Sequence, residues 1–348
     1  MNWRLTEAYD EYGEYSEDDV RVRPPRRGTK PRSKQRPAHD DAVTGMVITV
    51  DRGRYTCVLD ADPTRPVIAA AARELGRGAV VVGDRVGIVG DVSGADGSLA
   101  RIVRVEPRTS LLRRSADDTD QVERIIVANA DQLCIVVAAI NPEPRPRLID
   151  RYLIAAYDAG IEPIMVITKT DLHPADELTE LVAALDVPVF TTTIDKRPDG
   201  NLLRTLGGHT TVMVGHSGVG KSTLVNALVP TADRATGHVN AVTGRGRHTS
   251  SSSLALSLPA GGWIIDTPGV RSFGLGHVEP EAITDAFPAI AAVVANCPRG
   301  CTHRSDSPDC AIDAAIAAGE LDAPTRMRVD SIRRLLDSLA DSAPQPGD

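Results

Sequence analysis

One segment, Gly215–Ser222, restricts the possible folds of this chain more than any other feature. Its sequence, Gly-His-Ser-Gly-Val-Gly-Lys-Ser, matches the G-x-x-x-x-G-K-S pattern at every defined position. The apolar run Thr211–Val214 precedes it, and the helix-forming stretch Ser222–Leu228 follows it. A strand, a glycine-rich turn and a helix in that order surround an anion with backbone N–H groups and a helix N-terminus. The segment therefore predicts a phosphate-binding loop in an α/β domain.

Two side chains of this loop have predicted chemical roles. We expect Lys221 to reach the β- and γ-phosphates of a nucleotide and to act in catalysis, and Ser222 to bind Mg²⁺. The glycines allow the backbone to wrap the phosphates. The predicted nucleotide-binding residues in this region are Gly215, His216, Ser217, Gly218, Val219, Gly220, Lys221, Ser222 and Thr223.

A second motif, Asp266-Thr267-Pro268-Gly269, follows the apolar residues Trp263–Ile265. An Asp at a strand end can bind Mg²⁺ through water, and the N–H of Gly269 can contact the γ-phosphate. A D-x-x-G pattern is common by itself, but downstream of a phosphate loop it is a strong signal. We therefore predict that Asp266 and Gly269 belong to the nucleotide site, with Asp266 on the Mg²⁺ side.

A third motif, Thr168-Lys169-Thr170-Asp171, follows the buried run Pro163–Ile167. Guanine presents N1–H and an exocyclic amine on one edge, and the Asp171 carboxylate can accept both hydrogen bonds, whereas adenine lacks this donor pair. Lys169 can lie over the base, and a backbone N–H near Thr192 can meet the guanine carbonyl. Thr168, Lys169, Asp171 and Thr192 therefore predict GTP rather than ATP as the nucleotide. The alternative is an ordinary charged turn.

The base motif precedes the phosphate loop along the chain, the reverse of the usual GTPase order, and this indicates a circular permutation. Between the loop and Asp266, residues 237–253 have the composition of a flexible switch loop, in which Thr249 or a neighbour would complete the Mg²⁺ shell. Val270 stands where many GTPases have a water-orienting Gln. We therefore expect slow intrinsic hydrolysis, with help from His248, the candidate catalytic residue, or from a partner. A plain surface loop is the alternative.

The C-terminal region contains the pattern Cys297-x₃-Cys301-x-His303-x₆-Cys310. Three thiolates and one imidazole suit tetrahedral Zn²⁺, and four protein ligands fill the shell, so we predict one structural zinc. The surrounding sequence is too polar for a large core, and the metal would therefore supply folding energy. Three free cysteines are the alternative.

The first half of the chain contains two further predicted parts. Five short β runs between Gly45 and Val105 predict a small barrel of OB or SH3 type, a fold that often binds RNA but also binds proteins. Residues 1–42 are predicted to be disordered. The formal net charge of −8 hides a segment, residues 21–39, with eight basic and no acidic residues, which suggests an arm for phosphate backbones rather than a merely solubilising tail. No apolar run is long enough to span a membrane, and no signal peptide is recognisable, so we expect a cytoplasmic protein.

With these motifs the chain resembles the RsgA (YjeQ) family of ribosome small-subunit-dependent, circularly permuted GTPases over roughly residues 43–340. The resemblance implies an OB barrel, a permuted GTPase, a zinc domain, and late maturation of the 30S subunit with subunit-stimulated hydrolysis. The chain departs from the family pattern at Thr168, where Asn is usual, and in the spacing of the metal ligands. The features that support the resemblance are the permuted order of the motifs, the segments Gly215–Ser222, Asp266–Arg271, Gly246–Thr249, Glu106–Leu112 and Ala128–Gln132, and the Cys/His cluster.

The resulting prediction is a multidomain α/β protein, a GTPase that uses Mg²⁺, binds GTP or GDP and acts as a monomer on the small subunit and its rRNA. A signalling GTPase whose barrel and zinc domain bind proteins is the second hypothesis. The predicted parts are a disordered tail with a basic arm (1–42), an OB-like barrel (43–106), the permuted GTPase domain (107–276), a helical zinc-binding domain (277–340) and a tail (341–348).

Overall fold

The structure is a computed structural model that describes residues 39–76, 78–115, 123–193, 198–230, 253–267, 273 and 275–341. The predicted basic arm, apart from His39, lies outside these residues, as do His248, Thr249 and Gly269. Residues from Asp41 onward form one compact unit, so the predicted domain boundaries within it stay predictions. None of the described helices is long and apolar enough to cross a membrane.

The first five strands close into the predicted OB-like barrel. They are β1 (Val43–Asp51), β2 (Arg54–Leu59), β3 (Asp62–Ala71), β4 (Arg85–Gly90) and β5 (Ala100–Val105). Their order is β1-β2-β3-β5-β4, and β4 pairs back to β1, so no barrel edge is left open. All of these pairs are antiparallel except β3 with β5. Inward-facing residues such as Val47, Cys57, Val67, Ile88 and Ile102 are fully buried and fill the interior.

A mostly parallel sheet follows, in the order β10-β9-β8-β11-β13-β12. Its strands are β8 (Gln132–Ala138), β9 (Glu162–Thr168), β10 (Val189–Thr191), β11 (Thr210–Val214), β12 (Leu254–Ser257) and β13 (Trp263–Asp266), and only β12 is antiparallel to its neighbour. The first four helices are α1 (Pro146–Asp158), α2 (Asp176–Ala183), α3 (Gly200–Leu206) and α4 (Lys221–Leu228). Strand β12 also pairs with β1 at Thr49 and Leu254, so sheet and barrel are continuous. The phosphate-loop segment with its flanking strand and helix predicted an α/β domain of this kind.

The C-terminal region is helical, with α5 (Pro280–Asp285), α6 (Pro288–Val294), α7 (Ala311–Ala318) and α8 (Ala323–Ala340). The expectation that this region is too polar for a large core is wrong. Ile283, Ile312, Val329, Ile332 and Leu335 are almost fully buried and belong to the same core cluster as the α1 residues. The error arose chiefly at α8, where the apolar residues lie on one face among many charged ones, which lowers the average hydrophobicity without removing the apolar face.

Sequence patterns did not predict several short elements. A hairpin of β6 (Leu111–Ser115) and β7 (Glu123–Ala128) stands between the barrel and the parallel sheet. It was missed because Arg113, Arg114 and Arg124 interrupt the alternation of apolar and polar residues. The two-turn helices α3, α5 and α6 and the four-residue strand β12 are too short to give a clear period.

A buried ion pair joins Asp84, in the β3–β4 loop, to Arg108, in the segment that follows β5. Arg108 donates from Nε to Oδ1 of Asp84 at 2.7 Å and from Nη2 to Oδ2 at 2.8 Å, and the Asp84 side chain is fully buried. The N–H of Val81 also donates to Asp84, and Arg108 donates to the Ala79 carbonyl. The hydrogen bond to Asp84 raises the pKa of Arg108. This fork therefore ties the β3–β4 loop to the segment that leads from the barrel toward the parallel sheet.

Removing Arg108 tests the contribution of this pair. Arg108→Ala leaves the Asp84 carboxylate buried without its charged partner, so we expect the free energy of unfolding to fall by about 3 kcal/mol. Urea unfolding followed by circular dichroism measures the change. Arg85→Ala, which removes an exposed pair with Asp60, is the matched control and should have a much smaller effect. Equal effects of the two substitutions would contradict this account.

Candidate nucleotide and metal sites

The phosphate loop connects β11 to α4 and depends on glycine at defined positions. Gly215, Gly218 and Gly220 have φ values of 150°, 82° and 92°, which side-chain-bearing residues rarely adopt. A Cβ on Gly215 would lie 2.3 Å from the Val136 carbonyl oxygen. Gly220 is the N-cap of α4, so the first-turn N–H groups of α4 follow directly on the loop. The predicted strand, turn and helix are therefore all present.

Lys221, the first residue of α4, and Asp266, the last residue of β13, are brought together at one edge of the sheet. The Lys221 ammonium lies 3.2 Å from Oδ1 of Asp266 and donates to the Thr267 carbonyl at 3.2 Å. Strands β11 and β13 pair in register at Met213 and Asp266, which sets this distance. Ser222 is exposed at the start of α4. An exposed hydroxyl, a carboxylate and an ammonium at one sheet edge suit the binding of a phosphate with a divalent cation.

The base motif at the end of β9 contacts the phosphate loop directly. The buried Thr168 hydroxyl donates to the Val219 carbonyl at 2.5 Å, and the Lys169 ammonium donates to the Gly218 carbonyl at 2.9 Å. Lys169 also donates to the carbonyl of Asn141, in the β8–α1 loop. Asp171 stays exposed. The two motifs, 44 residues apart in sequence between Asp171 and Gly215, therefore form one site.

Thr192 lies beside this motif, but its backbone donor is already used. Its N–H donates to the Ile167 carbonyl at 2.8 Å, extending the pairing of β10 with β9, and its carbonyl accepts a 3.4 Å hydrogen bond from Thr170. This N–H is therefore not available to a guanine carbonyl in this structure. Sequence reasoning also missed Asn141, for which the Asn-Pro pair three residues after the end of β8 was the only signal.

The four predicted metal ligands come together in the C-terminal region. One donor atom from each of Cys297, Cys301, His303 and Cys310 lies within 4.8 Å of the others, and the Cys297 and Cys310 sulfurs are 4.0 Å apart. The N–H of His303 donates to the Cys301 sulfur, and that of Ala311 to the Cys297 sulfur. Nδ1 of His303 is buried with no hydrogen-bond partner among the described residues. This donor set can hold a metal ion.

The electrostatics of the cluster agree with a cation at its centre. Burial lowers the pKa of His303, so the imidazole is neutral and able to act as a ligand. Burial first, and then the neighbouring Cys310 and Cys301 thiols, raise the pKa of Cys297 to about 11, although the N–H of Ala311 opposes the shift. Thiolates this close repel one another without a counter-charge. A bound cation would supply that charge and displace the thiol protons.

The fold and site define a P-loop GTPase with its motifs in permuted order, an OB-like barrel before it and a Cys/His cluster after it. A family model described as RsgA GTPase matches residues 105–276. The small ribosomal subunit biogenesis GTPase RsgA 1 of Vibrio vulnificus is 36% identical over 310 residues, which cover 87% of this chain and 85% of that protein. The chain belongs to the RsgA family.

Other relatives and solved structures agree with this assignment. The small ribosomal subunit biogenesis GTPase RsgA of Gemmatimonas aurantiaca is 37% identical over 265 residues, 75% of this chain and 84% of that protein. The crystal structure of YjeQ from Thermotoga maritima matches with a TM-score of 0.62 at 26% identity, covering 86% of this chain and 98% of that one. YloQ, a circularly permuted GTPase, has the same fold, with a TM-score of 0.60 at 24% identity over 89% of this chain and 99% of that one.

The hydrogen bond from Thr168 to Val219 gives a direct test of the site. Thr168→Val keeps the shape but removes the donor between the base motif and the phosphate loop. We expect GDP to bind about fivefold more weakly, since one buried hydrogen bond is lost. Titration with a fluorescent GDP analogue measures this, and Thr64→Val, an exposed barrel position, is the control. Unchanged affinity would show that the contact does not support nucleotide binding.

Proposed function

We propose that this chain is a GTPase that binds the small ribosomal subunit and assists its late maturation. The observation on which this proposal chiefly rests is the direct contact of the base motif with the phosphate loop through Thr168 and Lys169. This contact supports a single site that contains the groups suited to guanine and to phosphate. Two relatives covering most of the chain are named small ribosomal subunit biogenesis GTPases.

In the proposed nucleotide complex, each part of the site has one task. The N–H groups of the phosphate loop and of the first turn of α4 bind the phosphates, and Lys221 turns from Asp266 toward them. Ser222 and Asp266 hold Mg²⁺, joined by Thr249. When bound, Mg²⁺ would neutralise part of the negative charge of the phosphates. Asp171 accepts the two guanine donors, and Gly269 donates to the γ-phosphate.

Hydrolysis is proposed to be slow in the free protein. Val270 has no group that can orient water, and His248, in the predicted switch loop, is the candidate for that task. A polar partner surface that orders this loop would therefore raise turnover. The small subunit is the proposed partner. Hydrolysis would then depend on binding of the protein to the subunit, and release of the protein would follow hydrolysis.

The C-terminal cluster is proposed to hold one structural Zn²⁺. Three sulfur ligands and one imidazole suit zinc in its four-coordinate form, and no ligand position is left for a substrate. The N–H donors of His303 and Ala311 lower the charge on two of the sulfurs. Because α6, α7 and α8 bury apolar residues of their own, the metal mainly orders the connecting loop.

The remaining parts of the chain favour RNA over protein as the partner surface. Eight basic and no acidic residues in 21–39 suit the phosphate backbone of rRNA, and the OB-like barrel is a fold that binds nucleic acid. We propose that the protein acts as a monomer in the cytoplasm, where subunits mature. A signalling GTPase with protein partners is the competing proposal.

Turnover with and without ribosomal subunits tests the function. We expect small subunits, but not large ones, to raise GTP turnover at least about tenfold, well below the roughly 10³- to 10⁵-fold effect of an arginine finger supplied by a partner. Lys221→Ala should lower the stimulated rate about 100-fold, because the phosphate charge is no longer neutralised. Phosphate release is measured alongside co-sedimentation with each subunit. Absence of both stimulation and co-sedimentation would exclude the proposal and favour the signalling alternative.

Metal analysis tests the C-terminal cluster. We expect one zinc per chain by mass spectrometry, its loss in Cys310→Ser, and retention in the control Cys57→Ala, which changes a barrel thiol. Since metal binding displaces protons from thiols such as Cys297, affinity should fall as the pH falls. Zinc retained at full stoichiometry in Cys310→Ser would contradict the assigned ligand set.

A further inference from the structure

Helix α2 links the Asp171 segment, which contains the proposed guanine acceptor, to strand β10. It begins at Asp176, five residues after Asp171, and ends at Ala183, and β10 with Thr192 follows it. The helix has only eight residues, about two turns. Isolated helices of this length are unstable, so its position depends on tertiary contacts. A displacement of α2 therefore moves the segments before and after it.

The C-terminus of α2 lacks the usual local means of stabilisation. No basic residue lies in its last turn, and its C-cap is Ala184 in a right-handed helical conformation rather than a glycine. The last carbonyls of a helix have no partner within the helix and carry partial negative charge. They therefore need donors from elsewhere.

Two arginines of the C-terminal helix α8 provide those donors. Arg334 donates from Nη2 to the Leu181 carbonyl at 3.0 Å, and Arg328 donates from Nε to the Ala184 carbonyl at 2.9 Å. Arg328 also pairs with Asp186, just beyond the helix. The chain separation between these partners exceeds 140 residues. The end of α2 is thus held by a helix from the region that contains the Cys/His cluster.

Both arginines are themselves fixed by neighbouring elements. Nε of Arg334 donates to the buried Asp150 of α1 at 3.1 Å, and Arg328 lies over the Phe287 ring, 5.7 Å from its centre. Asp150 also accepts a hydrogen bond from Ser338. A guanidinium that is fixed by one partner while it donates to another holds the second partner in place better than a free surface cation does.

We propose that Arg328 and Arg334 are positioning residues for guanine recognition. By holding the C-terminus of α2, they fix the position of the helix that joins the Asp171 segment to β10. The preference for guanine therefore depends on how α8 packs against the end of α2. This inference rests on the guanine-binding role proposed for Asp171. Neither arginine touches the nucleotide in this account.

The ratio of inosine diphosphate to GDP dissociation constants tests the proposal. Hypoxanthine lacks the exocyclic amine of guanine, so this ratio reports how well the Asp171 carboxylate is placed, while both nucleotides use the same phosphate loop. The ratio is also independent of the fraction of folded protein. Competition against a fluorescent nucleotide gives both constants. We expect a ratio of about ten or more in the unaltered chain.

The double variant Arg328→Ala with Arg334→Ala should reduce this ratio at least about threefold, since two stabilising contacts of a helix end are lost. Arg326→Ala is the matched control, because this arginine lies on the same helix and donates to the nearby Leu321 carbonyl. It should leave the ratio unchanged. If the double alanine variant does not fold, the double lysine variant, which keeps both charges without the guanidinium geometry, should show a smaller fall in the same direction.

Asp171→Asn distinguishes a failure of the proposed guanine-binding role from a failure of the positioning role. If Asp171→Asn leaves the ratio unchanged, the proposed guanine role of Asp171 is wrong. If Asp171→Asn abolishes the preference for GDP while the arginine variants keep the full ratio, Asp171 recognises guanine but the positioning role of α8 is overturned. A fall with the arginine variants and with Asp171→Asn, but not with Arg326→Ala, supports the proposal.

Discussion

The candidate site depends on the hydrogen-bonded pairing of the parallel strands β9, β8, β11 and β13. Parallel pairing places the carboxyl ends of these strands at one edge, where ligands bind in open α/β sheets. The base motif follows β9, the phosphate loop follows β11, and Asp266 ends β13. The register of β11 with β13 then brings the Lys221 ammonium to the Asp266 carboxylate. No single segment of the chain creates the site.

This dependence on strand order also explains why the permuted chain order is tolerated. The sheet requires each motif to follow its own strand, but it does not require the motifs to occur in one sequence order. The barrel precedes the base motif, and the C-terminal helices pack against α1. The permuted chain therefore has the barrel before its GTPase part and the C-terminal helices after it, and the sheet edge that carries the motifs is unchanged.

Local sequence patterns were sufficient wherever a motif and its strand stand together. Gly215–Ser222 predicted the loop, and the alternation of short runs predicted the barrel, because glycine conformation and side-chain alternation are local properties. The Cys/His spacing predicted which donors come together. The contacts of Thr168 with Val219 and of Arg328 with Ala184 join residues far apart in sequence. They depend on how strands and helices are stacked, and no local pattern indicates that.

The pairing of β12 with both β13 and β1 limits how far the chain can be shortened. Strand β12 ends the parallel sheet, and the barrel strand β1 meets it at Thr49 and Leu254. A sheet edge left bare is a template for pairing with other chains, and proteins usually shield such edges. The barrel is therefore also a cover for the GTPase sheet. A chain trimmed to its nucleotide-binding part would expose this edge and become prone to aggregation.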